Sequence, residues 1–109
     1  MATRIILRRA TGVGTAETQI GDPLSPAAGL KWTLVEIRAR ASAAATIRIY
    51  FDTELYYEIR TTITPGAYAR PHTVVLDIMQ PHVLAVKAMA DTGTVDVEVE
   101  LVIEESPAA

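Results

Sequence analysis

The stretch from Val95 to Ile103 constrains the fold more than any other part of the chain. Its odd-numbered positions are all valine, leucine or isoleucine, and three of its even-numbered positions are the acids Asp96, Glu98 and Glu100. Successive side chains of a β-strand point to opposite faces of the sheet, so this stretch predicts a strand with one buried face and one charged face in water. Such strands are typical of antiparallel sheets.

The same alternation recurs along most of the chain, and turn residues separate the alternating stretches. We expect strands at 3–9, 30–41, 45–52, 54–60, 73–79, 83–90 and 95–103, and a short strand near 18–20. No stretch has the helical period of about 3.6 residues. About eight short strands without a helix predict an all-β fold, an antiparallel β-sandwich of the jelly-roll type.

The domain organisation follows from the length and from the glycines and prolines. A chain of 109 residues suits one domain, which we expect to span 1–109. Residues 10–29 hold six glycines and prolines with little periodicity, and long connections of this kind are often functional. We therefore expect an N-terminal arm over about 1–29, a turn at 64–67 and a short flexible tail at 106–109.

The net charge of −3 conceals two halves of opposite sign. Residues 1–50 carry seven bases and three acids, whereas residues 51–109 carry three bases and ten acids. Two such halves can pair within one domain or with another copy of the chain. Internal pairing of neighbouring strands is the simpler hypothesis, and head-to-tail contacts in a ring are the alternative.

One strand pairing can be predicted from charge. A hairpin that turns at Ala43 places Arg38 opposite Arg48 and Arg40 opposite Thr46. Like charges that face each other across two strands are destabilising, so an acidic row must lie alongside. We therefore expect the last strand to neighbour this hairpin, within the chain or across a subunit interface.

No motif in the chain indicates catalysis. Cysteine is absent, no serine lies in a nucleophile motif, and the glycines at 12 and 14 lack the rest of a nucleotide-binding fingerprint. His72 and His82 are too few for a zinc site, and the aspartates do not have the spacing of a calcium loop. We expect no enzyme activity, no cofactor, and no catalytic or metal-ligating residues.

Charge and hydropathy also argue against two classes of partner. Nucleic-acid binding requires a basic domain or a basic stripe, which this chain does not have. The apolar run near the N-terminus is three residues long, whereas a membrane span needs about 20. It is also too short for the apolar region of a signal peptide. We expect neither a nucleic-acid partner nor a membrane partner.

Aromatic rings and arginines are the candidates for a binding surface. By strand parity, Trp32, Tyr50 and Tyr56 share the outward face with the charges and could stack on sugars or fill a protein interface. Alternatively, Trp32 enters the core through a bulge. Eight arginines against two lysines favour an interface, because arginine binds carboxylates through two donors. The candidate interface residues are Arg4, Arg8, Arg9, Trp32, Arg38, Arg40, Arg48, Tyr50, Tyr56, Asp96, Glu98 and Glu100.

Two segments, GLKWTLVEIR at 29–38 and ATIRIYFD at 45–52, resemble strands of small jelly-roll proteins from tailed-bacteriophage virions. The resemblance covers about residues 18–60 and carries no specific functional residues. It implies a capsid decoration (cement) protein in the virion, assembled in the host cytoplasm, which stabilises the shell of major capsid protein. Such proteins are commonly homotrimers. A carbohydrate-binding β-sandwich module is the alternative function, and a phage tail or baseplate component is a second alternative.

Overall fold

The computed structural model describes residues 2–61 and 72–108, and this part of the chain consists of β-strands without a helix. The strands are β1 (Ala2–Val13), β2 (Thr18–Gln19), β3 (Leu30–Ala41), β4 (Ala45–Phe51), β5 (Glu54–Thr61), β6 (His72–Ile78), β7 (Leu84–Ala90) and β8 (Val95–Pro107). The turn predicted at 64–67 lies outside the described residues. Within the described ranges, no helix is long and apolar enough to cross a membrane.

The described strands form two four-stranded antiparallel sheets. The first sheet has the order β1-β8-β3-β6, and the second sheet has the order β2-β7-β4-β5. Consecutive strands cross from one sheet to the other, except for β4 and β5, which pair with each other. This connectivity is that of an eight-stranded jelly roll, so the predicted all-β sandwich is confirmed.

The core lies between the inner faces of the two sheets. The odd-numbered positions of β8 from Val95 to Ile103 are each at most 4% exposed, as their alternation predicted. Side chains from both sheets pack against them. This burial of apolar surface is the main favourable term in folding. The largest fully buried side chains include Leu34, Ile37, Ile47, Ile49, Ile59, Ile78, Leu84, Val99 and Leu101.

A β-bulge in β3 overturns one parity assignment. The pairing of β3 with β8 shifts between Leu34 and Glu36, so Val35 has no partner position on β8. An extra residue of this kind moves the preceding side chains to the opposite face of the sheet. Trp32 and Leu34 therefore face the core, and Trp32 is only 4% exposed. The prediction that Trp32 faces outward is wrong, and the alternative, that it enters the core through a bulge, is confirmed.

A second irregularity lies between β4 and β5. Tyr57 is opposite Ile49, but Leu55 is opposite Tyr50, so the register shifts at this point. Leu55 is left 51% exposed, and Tyr56 packs half-buried against the core. The prediction that Tyr56 lies on the outward face is therefore wrong in the same way.

The predicted hairpin at Ala43 is also wrong, because β3 and β4 belong to different sheets. The connection between them crosses the sandwich. The Ser42 backbone N–H donates to the Asp96 carbonyl at 2.9 Å, and the Asp91 N–H donates to the Ala44 carbonyl at 3.1 Å. Short connections of small residues suit a crossing as well as a hairpin, which explains the error. The predicted acidic neighbour is nevertheless present, since β8 pairs with β3.

Both ends of the described chain lie in the first sheet. Within the predicted arm, β1 pairs with β8 from Ala2 to Val13 and forms an edge of the sheet. At the other end, β8 extends into the predicted tail, where Ser106 pairs with Lys31. These pairings place the first strand and the start of the tail in the sandwich.

Candidate interface

The outer face of the first sheet carries cross-strand rows of side chains. In one row, Glu98 of β8 is flanked by Arg9 of β1 and Arg40 of β3. Arg9 Nε lies 2.6 Å from Glu98 Oε2, and Arg40 Nη2 lies 3.0 Å from Glu98 Oε1. Both carboxylate oxygens are thus held by guanidinium groups, and Glu98 is only 8% exposed. The expectation that all three acids of β8 face water is therefore wrong for Glu98, whose carboxylate is shielded by the strand surface and by the two arginines.

The next row also pairs an acid of β8 with an arginine of β3. Glu100 of β8 pairs in register with Arg38 of β3 and with Leu7 of β1. Arg38 Nη1 lies 3.6 Å from Glu100 Oε2, and Arg38 Nε lies 2.6 Å from Glu36 Oε2. The acidic row beside Arg38 and Arg40 is therefore where the charge pattern predicted it.

Apolar side chains lie at both edges of this same face. On β1, Ile5 is 60% exposed and Leu7 is 39% exposed; on β6, Val75 is 76% exposed. Among the described residues, β1 and β6 are the edge strands of the first sheet, so one side of each has no strand partner there. An exposed edge strand with apolar side chains is a template for pairing with another chain. We call Ile5, Leu7 and Val75 the edge apolar residues.

Sequence reasoning missed the edge apolar residues. The available signal was that residues 3–9 place apolar side chains on both faces, Ile5 and Leu7 on one and Ile6 on the other. Only one face of a strand can be buried in a two-sheet sandwich whose outer faces are in water. The alternation of residues along β1 did not show which of its two faces is buried. In the structure, Ile6 packs against the core.

Arg4 and Trp32 bind the same acid, Glu105. The Trp32 Nε1 donates to Glu105 Oε2 at 2.8 Å, and Arg4 Nη1 lies 3.0 Å from the same oxygen. The Arg4 guanidinium also lies 5.7 Å from the centre of the Trp32 ring. The Trp32 hydrogen bond, with help from Arg4, holds the pKa of Glu105 below its ordinary value. Trp32 therefore belongs to the core, whereas the Arg4 side chain, which is 51% exposed, bonds to the same acid from the surface.

Arg8 extends from β1 toward the segment that contains Gly21. Its Nε is buried and has no hydrogen-bond partner among the described residues. Gly21 has a φ of +72°, and a Cβ there would lie 2.8 Å from Arg8 Cδ, so the glycine permits this close approach. Arg8 is thus a cation on the edge strand that faces away from the charged rows.

On the outer face of the second sheet, Arg48 lies between two acids. Its Nη1 is 2.8 Å from Glu17 Oε2, and its Nε is 2.8 Å from Glu58 Oε1. The Tyr50 hydroxyl donates to Glu17 Oε2 at 2.8 Å. Arg48 and Tyr50 lower the pKa of Glu17, while that carboxylate raises the pKa of Tyr50 and of Arg48. The network attaches the β1–β2 connection to β4.

The three predicted aromatic candidates do not form a sugar-stacking platform. Trp32 is in the core, and the Lys87 Nζ lies 4.5 Å from the centre of the Tyr50 ring. Tyr56 is half-buried, and its hydroxyl donates to the Val75 carbonyl at 3.2 Å. Stacking on a sugar needs an open ring face, so these contacts remove the feature on which the carbohydrate alternative depended.

A cleft of about 230 Å³ lies at one end of the first sheet. Arg9, Arg40 and Asp96 are among the residues that line it, together with small apolar side chains. The two arginines are bound to Glu98, and Asp96 Oδ1 accepts the Gly12 backbone N–H at 3.0 Å. In the part of the chain that is described, no group of three or more His, Cys, Asp or Glu could hold a metal ion.

A scan against protein-family models gave no match, and a search of curated proteins found no match either. The candidate interface therefore rests on its own geometry, which is an open-edged sheet with apolar residues at both edges and paired charges between them.

Proposed function

We propose that the protein is a structural assembly module, a capsid decoration protein of a tailed-bacteriophage virion. In this role it binds the shell of major capsid protein and associates with copies of itself, with a homotrimer favoured. The observation that carries the proposal is the outer face of the first sheet, where Ile5, Leu7 and Val75 are exposed on strands that, within the described ranges 2–61 and 72–108, have no neighbour on one side. The resemblance of residues 18–60 to virion jelly rolls supports the capsid setting.

The physical basis is burial of surface across joints in the shell. Apolar residues at a strand edge lose contact with water when a partner covers them, and the edge itself can supply main-chain hydrogen bonds. Each such contact is small, but many copies on a closed shell act together through multivalency. The ion-paired rows around Glu98 and Glu100 link the central strands across this face.

Binding to shells tests the proposal. Undecorated capsids assembled from the major capsid protein of the same genome are mixed with the purified chain, sedimented, and heated in a calorimeter. We expect saturable co-sedimentation and a higher melting temperature of the shell. Absence of saturable binding contradicts the proposal, and saturable binding to purified tails instead supports the tail or baseplate alternative.

Point substitutions are better probes than truncation of the N-terminus. Deletion of residues 1–9 removes most of a strand that pairs with β8, so loss of binding would not separate an interface from the fold. Ile5→Arg changes a side chain that is 60% exposed and should weaken shell binding or shell stabilisation. Leu55→Arg is the matched control, because Leu55 is 51% exposed but lies on the second sheet.

A further inference from the structure

The bulged part of β1 forms one wall of the cleft at the end of the first sheet. The register of β1 against β8 shifts between Ala10 and Val13, and Gly12, which lies within the shift, has a φ of +66°. Bulges with a glycine in this left-handed conformation are found beside binding sites, where they change the direction of neighbouring side chains. Ala10 and Thr11 line the cleft, whose volume is about 230 Å³. The cleft therefore coincides with a local distortion of the sheet.

Asp96 of β8 connects the two walls of the cleft. Its Oδ1 accepts the Gly12 N–H of β1 at 3.0 Å, and its own N–H donates to the Ser42 Oγ, next to β3, at 2.9 Å. These contacts fix the walls relative to each other, and small-molecule sites are usually preformed in this way. Within residues 2–61 and 72–108, Asp96 Oδ2 has no hydrogen-bond partner. This oxygen is therefore available as an acceptor for a ligand.

Arg9 supplies hydrogen-bond donors at the same cleft. Its Nε lies 2.6 Å from Glu98 Oε2, and its side chain is 67% exposed. A guanidinium has five N–H donors, and only one of them is on Nε. Among the described residues, the Nη atoms of Arg9 have no hydrogen-bond or ion-pair partner. Glu98 thus holds the guanidinium in place, while its Nη edge can bind a ligand carboxylate through two parallel donors.

The acceptor and the donors are separated by one step along the sheet. Asp96 and Glu98, which binds Arg9, are two residues apart on β8, and same-face neighbours on a strand are about 7 Å apart. A ligand that fits between them has a carboxylate for Arg9 and an ammonium group a few ångströms away for Asp96. A neutral sugar would give neither group an opposite charge, and a simple anion would be repelled by Asp96.

We propose that the cleft binds a free α-amino acid with a small side chain, its carboxylate on the Nη atoms of Arg9 and its ammonium group on Asp96 Oδ2. The cleft volume of about 230 Å³ is smaller than that of pockets for drug-sized ligands, so the side chain must be small. Ala41 and Val97, which also line the cleft, offer it apolar contacts. This inference goes beyond the proposed assembly function and does not rest on it.

A titration followed by nuclear magnetic resonance tests the site. L-Alanine is added to the isotope-labelled protein, and the chemical shifts of the backbone amides are measured. We expect saturable shifts of the Gly12 and Asp96 amides, with a Kd of about 1–10 mM. The Val83 amide lies next to the other end of β7 and should not shift. Acetate, which has only the carboxylate, should bind more weakly than alanine, and glucose should not bind.

Three variants assign the two ends of the ligand. Arg9→Met should weaken the binding of both alanine and acetate by at least about tenfold. Asp96→Asn keeps an oxygen for the Gly12 N–H but loses the negative charge, so it should weaken alanine binding and not acetate binding. Arg38→Met is the matched control, because Arg38 is also paired with acids on this face but does not line the cleft. The same spectra show whether each variant is folded.

The remaining outcomes overturn the inference. Absence of saturable shifts with alanine at about 100 mM means that the cleft is not an amino-acid site. Equal affinities for alanine, acetate and glucose contradict recognition by the two opposite charges. If folded Arg9→Met binds alanine as tightly as wild type does, the carboxylate position is wrong. If Asp96→Asn leaves alanine binding unchanged, the ammonium position is wrong.

Discussion

Two ion clusters on opposite outer faces of the sandwich have opposite polarity. On the first sheet, the acid Glu98 lies between Arg9 and Arg40; on the second, the base Arg48 lies between two acids. The Glu98 side chain is 10% exposed, whereas the Arg48 side chain is 29% exposed. A shielded charge that loses its partners cannot recover its hydration, so the first cluster should matter more for stability.

The clusters also differ in what they join. The partners of Glu98 are on the two strands that flank β8, so this cluster is part of the strand pairing itself. Arg48 takes one partner, Glu58, from the neighbouring strand β5, and the other, Glu17, from the β1–β2 connection. Cross-strand pairs stabilise a sheet, whereas a contact with a connection stabilises that connection locally. We therefore expect global effects from the first cluster and local effects from the second.

The largest expected effect comes from the first cluster. Glu98→Ala removes the carboxylate that links Arg9 of β1 to Arg40 of β3 across β8, and the loss of these two charge-assisted contacts should lower the free energy of unfolding by about 1–3 kcal/mol. Chemical denaturation measures this change. Glu54→Ala, which removes an exposed acid, is the control and should stay within about 0.5 kcal/mol of wild type. If Glu98→Ala and Glu54→Ala lower the free energy of unfolding by the same amount, the burial of Glu98 does not contribute to stability.

A smaller and more local effect is expected from the second cluster. Arg48→Met should lower the melting temperature less than Glu98→Ala does, and the loss should shrink at high salt, because partly exposed pairs are screened. It should also speed exchange of the Ile20 amide, which donates to the Val86 carbonyl just beyond the connection. Hydrogen exchange measures this rate. Arg38→Met, which also removes an arginine between two acids, should leave the Ile20 amide unchanged.

The smallest expected effect is that of a hydrogen-bonded carboxylate, Asp52, outside both clusters. The Val83 backbone N–H and His82 hold the pKa of Asp52 below its ordinary value, and Asp52 Oδ2 lies 2.7 Å from His82 Nδ1. A lowered pKa means that the stabilisation is present above the ordinary value and is lost as the pH falls through the folded value. Wild type should therefore exceed Asp52→Asn in melting temperature at neutral pH, by a margin that vanishes in acid.

The Asp52→Asn comparison isolates the charge from the backbone. Asp52 has a φ of +56°, a left-handed conformation that asparagine adopts as readily as aspartate. The amide oxygen can also still accept the Val83 N–H. A margin between the two proteins that stays constant from neutral to acid pH would contradict the predicted role of the ionised carboxylate.

Part of the fold and of the charged surface could be predicted from local patterns. The alternation from Val95 to Ile103 identified the buried face of β8, because a strand with one dry face has no other way to place its side chains. The acidic row was also correctly predicted beside Arg38 and Arg40, although the repulsion used to predict it belonged to a hairpin that does not form. The first prediction depended only on side-chain chemistry that is the same wherever the strand lies.

Other predictions failed because strand register depends on distant partners. The bulge at Val35 changed the face of Trp32, and the shift at Tyr50 left Leu55 in water and Tyr56 against the core. Nothing in the local sequence marks an extra residue in a strand, since the bulge is defined by the residues opposite it. The two residues predicted to face each other, Arg38 and Arg48, likewise lie on different sheets, because β3 and β4 do not pair.

The alternating pattern of the sequence is enough to predict a β-sandwich, the buried apolar side chains of the last strand, and an acidic row beside Arg38 and Arg40. The positions of β1 and β6 at the edges of one sheet, and the exposure of Ile5, Leu7 and Val75 there, became visible only in the folded chain. The physical reason is that burial and charge act residue by residue, whereas an edge exists only once every strand has a position. The proposed interface belongs to this second kind of property.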